Sequence, residues 1–471
     1  MKKIIMYSWA VLFSVSLAAQ DTLKLNLDLD QCHAMALENS KAIKIAEQNM
    51  NKAKAGKTTA RSAWFPNISA SATGMYSRHE LQTELTLPTK TFDMTTGELK
   101  PNIAINPATG QPIIGPDGNP VFNTYAFLPL DITLYGGAVA GISAQQPIYA
   151  GGKILAGNRM AGIAENLASD NKQLKEDEVI FETDKMYFTY LSVQEKYKLA
   201  KEYQDLLKAV VKTVNDSYET GMVNRNELLK VQVKYNDATL QVQKAASGLK
   251  LSRMALCRVI GVGLFSPIQI DDSISNVSFD PDHLAHGSFA DREEYKLLQG
   301  QVELAEQQVK MVQGDYLPTV GVSAGYNYFN VGLENMSNYD SHGFSAIANV
   351  KIPITTFGER KGKVASAKAD YTIKQLELQQ AQELLMLDIE QARLNYQDAW
   401  TRIEMTRKAL DQANENMKVC DDNYSLGMET VVNVLEAKAE WQKAYSDKID
   451  ALTDFKIKES NYYKVTNQFE K

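Results

Sequence analysis

Tyr316-Leu317-Pro318-Thr319-Val320-Gly321-Val322-Ser323-Ala324-Gly325-Tyr326-Asn327-Tyr328 is the stretch on which the fold turns. Past the proline, Val320, Val322, Ala324, Tyr326 and Tyr328 occupy one parity, and Thr319, Gly321, Ser323, Gly325 and Asn327 the other. That period of two predicts a strand with one apolar and one polar face. A return strand follows, with Phe344, Ala346, Ala348, Val350 and Ile352 opposing Ser345, Asn349 and Lys351, and Ile347 as the exception. Two hairpins on a soluble sheet would alternate in the same way. The length near the ~10 residues of a membrane strand, the scarcity of charge and the aromatic strand ends favour a bilayer-spanning barrel instead.

The same entry recurs upstream. Trp64-Phe65-Pro66-Asn67-Ile68-Ser69 precedes its counterpart by 252 positions, whereas Gln146-Pro147-Ile148 and Ile352-Pro353-Ile354 are 206 apart, as are Tyr218-Glu219-Thr220-Gly221-Met222 and Tyr424-Ser425-Leu426-Gly427-Met428. One strand-and-helix unit is therefore used twice. The difference of 46 marks an insertion in the first copy, within 79–131, whose many prolines predict a long loop. The expected organisation is a first repeat over 20–262, with strands about 65–79 and 132–149, a connector over 263–288, and a second repeat over 289–471, with strands about 319–329 and 343–354. Residues 64–77 and 132–152 carry no charge at all.

Between the strands, 154–218 and 360–424 contain no proline and almost no glycine, which predicts two helices each about 100 Å long. Their apolar residues recur every seven positions: Val179, Met186, Val193, Ala200, Leu207 and Val214 in the first, Ile389, Tyr396, Ile403, Leu410, Met417 and Tyr424 in the second. A further series, Leu167, Leu174, Phe181 and Phe188, adds another seam. A helix with two seams packs on both sides, as in a helical wall. Shorter helices over 30–63, 225–260, 289–316 and 430–466 have the combined lengths to stack end to end along the long ones.

Met1-Lys2-Lys3, the apolar run Ile4–Leu17 and the small pair Ala18-Ala19 have the pattern of a signal peptide over 1–19, and no cysteine stands at the junction to take a lipid. No later apolar run approaches the ~20 residues of a spanning helix. The net charge of -7 and the absence of a basic stripe argue against nucleic acid as a partner. Cys32, Cys257 and Cys420 are too scattered for a disulfide framework, and His283 and His286 near Asp280 and Asp282 lack a second ligand cluster, so no metal is expected. No nucleophile elbow, phosphate loop or convergent His–acid set is present, which argues against an enzyme and leaves no cofactor implied.

Taken in order, Leu27-Asp28-Leu29-Asp30-Gln31-Cys32-His33-Ala34-Met35-Ala36-Leu37-Glu38-Asn39, both proline-led strand entries, Pro147-Ile148-Tyr149-Ala150-Gly151-Gly152 and Tyr424-Ser425-Leu426-Gly427 resemble the TolC-like outer membrane efflux protein family over nearly the whole chain. The resemblance implies a homotrimer in outer-membrane lipid. Each chain would give four strands to a twelve-stranded β-barrel, continued by a long periplasmic α-helical barrel. It also implies an exit duct for drugs and other small toxic compounds, working with a periplasmic adaptor and an inner-membrane efflux transporter. Backbone physics points to the same oligomer, because four strands in lipid leave two edges that other copies must pair.

In that family the turns at Gly221-Met222 and Gly427-Met428 would form the adaptor-docking tip, and the periplasmic constriction would fall on Glu227, Asn433 and Glu436. Asn433 departs from a carboxylate, and Glu429 from a basic residue that latches the closed state. Tyr424 matches an aromatic latch position but also belongs to the heptad series. The competing readings are a periplasmic coiled-coil adaptor or structural protein, and the exit duct of a type I protein secretion system. An adaptor would need a lipoyl-like strand pair between its helices, which neither glycine turn contains.

Overall fold

A computed structural model describes residues 25–84, 87–93, 96–123, 125–126, 131–275, 277–279, 287–333 and 339–469. The expected leader over 1–19 lies outside them, as does the Asp280–His286 part of the connector expected over 263–288, with His283 and His286. Two compact units are present: a helical one built from the segments up to Thr58, Asn158–Val309 and from Ala365 onward, and a sheet unit built from Thr59–Gly157 and Lys310–Val364. Each repeat contributes to both. The expected class, mainly α with a four-stranded β contribution from two repeats, is the class found.

In the helical unit, α1 (Leu29–Asn39) and α2 (Lys41–Ser62) replace the single helix expected over 30–63. An Asp28–Gln31 capping box starts α1. Ser40 leaves helical geometry with ψ 125°, and its hydroxyl accepts from the Ala42 N–H, a local bond that competes with the helix ladder. The long helices α3 (Lys153–Glu219) and α6 (Glu359–Ser425) have 67 residues each, and their hairpin partners α4 (Arg225–Val259) and α7 (Val431–Val465) have 35 each. A 3-10 turn at Phe289–Asp291 precedes α5 (Glu293–Gly314); between them Arg292, buried and extended, pairs with Asp388 at 2.7 Å and Glu294 at 3.1 Å.

The heptad series ends up inside. Ala200, Leu207, Val214, Tyr396, Ile403 and Leu410 are buried; Val179 and Met186 pack partly exposed against the cluster of Tyr396 and Ile403, and Met417 against that of Leu207, Val214 and Leu410. One cluster gathers aromatic rings: Phe279 stacks on Trp400 at 5.5 Å, and Tyr396 meets Phe455 at 5.0 Å and Tyr462 at 5.7 Å. Polar groups tie helices around it. His33 Nε2 and the Ser460 hydroxyl both bond the buried Asp184, each at 2.5 Å, linking α1, α3 and α7. Cys32 and Cys257 are free and buried; burial, then the charge of Asp28, pushes the Cys32 thiol up to about 12, so it is a packing group and not a nucleophile.

The sheet unit holds β2 (Asn67–Glu84), β7 (Asp131–Ala150), β9 (Thr319–Leu333) and β10 (Tyr339–Lys351), ordered β10-β9-β7-β2 and antiparallel throughout. Register places Ile68, Ala70 and Ala72 beside Ala144, Ile142 and Ala140, then Ala324, Tyr326 and Tyr328, then Ala346, Phe344 and His342. This face is apolar, and Ile68, Ile142, Tyr326 and Phe344 are exposed on it. The other face carries Asn67, Ser69, Ser71, Gln145, Ser143, Ser323, Asn327 and Asn349. No described helix is long and apolar enough to cross a membrane.

The proline-rich insertion is more ordered than a loop. Its described part is a nested ladder: β3 (Leu87–Pro88) pairs with β6 (Tyr125–Ala126), β4 (Lys90–Phe92) with β5 (Leu99–Pro101), and single bridges join Ile103 to Phe122, Ile105 to Pro112 and Ile114 to Pro120. Prolines at pair ends are compatible with such short rungs, because each rung needs few N–H donors. In addition, β1 (Leu25–Asn26) runs parallel to β8 (Ile268–Gln269), fastening the start of the first repeat to the connector after it.

One contact in the helical unit has asymmetric consequences. Lys438 of α7 is buried, with 4% of its side chain exposed, and pairs at 2.5 Å with Asp421 of α6, which is 44% exposed. Removing the carboxylate strands a buried ammonium, whereas replacing the lysine with an apolar chain of similar length leaves an anion that water can reach. Asp421→Ala should therefore cost roughly 3 kcal/mol and Lys438→Met less than about 1 kcal/mol. Thermal unfolding followed by helical circular dichroism checks the ranking; an equal drop for both substitutions would contradict it.

Candidate functional site at the two helix turns

Both hairpin turns are built by the same device. Gly221, at φ 77°, sits at the left-handed position after α3; its N–H bonds the Tyr218 carbonyl at 3.0 Å, and the Met222 N–H bonds the Ser217 carbonyl at 2.8 Å. Gly427, at φ 74°, repeats this with Tyr424 at 3.0 Å and Asn423, bonded by the Met428 N–H, at 2.9 Å. Each is a Schellman stop, which needs a residue tolerant of positive φ and satisfies two terminal carbonyls. The descending helices start on side-chain caps, Asn224 accepting from the Glu227 N–H at 3.0 Å and Thr430 from the Asn433 N–H at 3.3 Å. No strands are inserted in either turn.

Three apolar residues of the turns find no cover among the described residues, whereas Val223 packs against the hairpin core. Met222 is 80% exposed and Met428 67%, with Leu426 comparably bare. Just behind them the hairpins share a core in which Leu207 and Val214 meet Leu228 and Val231, along with Leu410, Val431, Val434 and Leu435. Tyr424 packs against that core, half-buried. Burial, then the nearby Glu227 carboxylate, raises its phenol above the ordinary tyrosine range. The heptad position of Tyr424 thus puts it in the packing, next to Glu227.

Glu429 and Asn433, which looked in the sequence like two separate departures, meet. The Glu429 carboxylate accepts from the Thr430 N–H at 2.9 Å and from the Asn433 amide at 2.5 Å. The Thr430 N–H first, and the Asn433 amide second, hold its carboxyl below the usual glutamate range. An amide at 433 can donate this bond; a carboxylate there would repel Glu429 instead. The two substitutions therefore form one local lock within the second turn.

Glu436 lies apart from that lock. It is exposed on a groove of about 510 Å³ between α4 and α7, whose walls include Leu229, Val233, Val432 and the ammonium-bearing Lys230 and Lys234. Sequence reasoning missed these lysines and the Asp421–Lys438 pair, because neither is marked by a motif. For the pair the available signal was hairpin spacing: Asp421 lies eight residues before Glu429 and Lys438 eight after Thr430, positions that face each other once α6 and α7 run antiparallel. Among the described residues, no group of three or more His, Cys, Asp or Glu side chains is arranged to hold a metal ion.

Comparison with known proteins gives these turns a context. The model of a family described as "Outer membrane efflux protein" matches residues 123–262 and 297–468, one segment in each repeat. The outer membrane protein TolC of Vibrio cholerae serotype O1 is 19% identical over 286 residues, 59% of this chain, and the chain spans 65% of the length of that curated relative. Solved structures share the fold at low identity. CusC superposes with a TM-score of 0.72 at 13% identity, covering 94% of this chain and 93% of its own. The Campylobacter jejuni CmeC outer membrane channel does so with 0.72 at 15%, covering 94% and 87%. The Neisseria gonorrhoeae MtrE outer membrane channel, described in its open state, gives 0.69 at 14%, covering 93% and 88%. With the family model matching more than half of its length in two repeat-sized segments, the chain belongs to the outer membrane efflux protein family, a family of outer-membrane channels.

Proposed function

We propose that three copies of this chain close one twelve-stranded barrel and act as the outer-membrane exit duct for small molecules, handed over by an inner-membrane transporter through a periplasmic adaptor. The observation that carries the reading is the four-stranded sheet with one exposed apolar face and free edges at β2 and β10. In lipid each orphaned backbone group costs several kcal/mol, so a lone sheet does not persist there. The two edge strands run antiparallel to one another, so the β2 edge of one copy can pair with the β10 edge of the next and keep the ring antiparallel. A barrel of eight strands is nearly filled by side chains, whereas twelve leave room for water along the polar face.

The turns supply the docking surface. The bare Met222, Leu426 and Met428 are flexible apolar groups suited to docking an adaptor's own hairpin. Glu227 and Glu436 recur three times around a trimer axis, and such carboxylate rings attract cations. Lys230 and Lys234, which share the groove with Glu436, partly offset its charge. The chain carries out no chemistry on its cargo, and selection rests with the transporter and adaptor.

Two measurements on reconstituted single channels follow. Glu436→Ala should abolish or strongly weaken block by divalent or trivalent cations added on the turn side; block that is unchanged would remove Glu436 from the constriction. The second concerns pH. Because the Glu429 carboxyl is depressed in the folded tip, its lock is complete above the ordinary glutamate pKa and is lost only as pH falls through the depressed value. Wild-type conductance should accordingly stay flat from neutral pH down to about pH 4. Asn433→Asp removes the donor and adds a like charge, so its conductance should be higher at neutral pH and fall on acidification as the pair takes up a proton. Superimposable pH curves for the two proteins would contradict the lock.

A further inference from the structure

Four segments of the sheet unit adjoin one end of the sheet: 59–66 before β2, 146–157 at the end of β7, 310–318 before β9 and 351–364 after β10. They share that end because Asn67 pairs with Gln145, while Ala150 and Lys351 both pair with Thr319. This is also the end from which the helices leave the sheet. These segments hold seven Lys or Arg residues against two acidic ones, a local excess of positive charge in a chain whose net charge is -7. The two acids are already engaged, Asp315 by Lys153 at 2.9 Å and Glu359 by Lys363 at 2.6 Å. Arg61, Lys351, Arg360 and Lys361 are exposed and form no ion pair with any described residue.

The same band is apolar where it should be wet. Trp64, Phe65 and Ile148 are exposed, and Ile354 and Phe357 are 94% and 97% accessible. Phe357 is held at φ 46°, a left-handed conformation that costs an L residue of its kind energy, and no packing among the described residues compensates. Aromatic residues beside snorkelling cations are what a headgroup region selects: rings at the carbonyl level and cations at the phosphates. Four free cations in one such band fit a negatively charged surface.

We propose that this collar binds anionic phospholipid headgroups in the leaflet on the helix side of the outer membrane, with Arg61, Lys351, Arg360 and Lys361 on the phosphates and Trp64, Ile354 and Phe357 in the adjoining acyl boundary. The assignment rests on the barrel reading above and adds a lipid preference that a barrel alone does not require. It sets the depth of the barrel by charge as well as by apolar height.

The test uses the full chain, purified in detergent and titrated with phosphatidylglycerol or phosphatidylcholine carrying brominated acyl chains, which quench a nearby tryptophan. Trp64→Phe identifies the part of the quenching that belongs to the collar. A cation near an anionic surface is worth about fivefold in affinity, so the wild type should prefer phosphatidylglycerol at least about tenfold, and Arg61→Gln/Lys351→Gln/Arg360→Gln/Lys361→Gln should bind both lipids alike. Equal quenching of the wild type by the two lipids, or a preference retained in the quadruple variant, would overturn the proposal. So would its abolition by inorganic phosphate, which points to a free anion, or a quadruple variant that keeps the preference but loses its oligomer, which points to a contact between copies. Failure of the barrel reading looks different: a wild-type chain that no brominated lipid quenches and that needs no detergent would take the collar down with the barrel.

Discussion

An unpaired strand edge in lipid is the constraint from which the rest follows. The sheet can bury its backbone polar groups between β2, β7, β9 and β10, but the outward-facing groups of β2 and β10 have no strand partner among the described residues. Water can serve such groups at the surface of a soluble protein; hydrocarbon cannot. The apolar face makes a soluble alternative equally costly, since Ile68, Ile142, Tyr326 and Phe344 would stand in water with nothing over them. Both costs would be relieved by the same event, the proposed closure of the sheet by further copies inside a bilayer.

Duplication makes that closure compatible with the long helices. Each repeat gives two strands and one 67-residue helix, and each long helix returns through a glycine-stopped turn into a 35-residue partner. Over such lengths the heptad seam keeps apolar residues in register with a neighbour, and the buried Asp184 and Lys438 contacts fix the register against slippage. The turns themselves need no cover from this chain, which leaves Met222 and Met428 available to a partner.

Much of this was legible in the residues, and the remainder was hidden for identifiable reasons. The second repeat's strands announce themselves because Val, Tyr and Phe alternate with Ser, Gly and Asn. The first repeat's strands set mostly Ala against Ser and Gly, a weak contrast between faces, and β2 runs on to Glu84 past Arg78, His79 and Glu80, where charge masks the pattern. The helix break at Ser40 comes from one side-chain bond, which periodicity does not detect. In the insertion, rungs of one to three residues are too short to alternate, so proline content alone suggested a loop. At the turns, Gly221 and Gly427 are visible as glycines in the sequence, whereas the Glu429–Asn433 bond stayed hidden because each residue was set singly against a family pattern and not against the other.

The central claim is that the β2 and β10 edges are covered in the native protein, and amide hydrogen exchange of the detergent-extracted chain reads this directly. The account predicts that β2 and β10 amides exchange as slowly as those of the interior strands β7 and β9. Fast exchange along β2 and β10, with protection confined to β7 and β9, would mean that the edges are open and that no ring of copies forms.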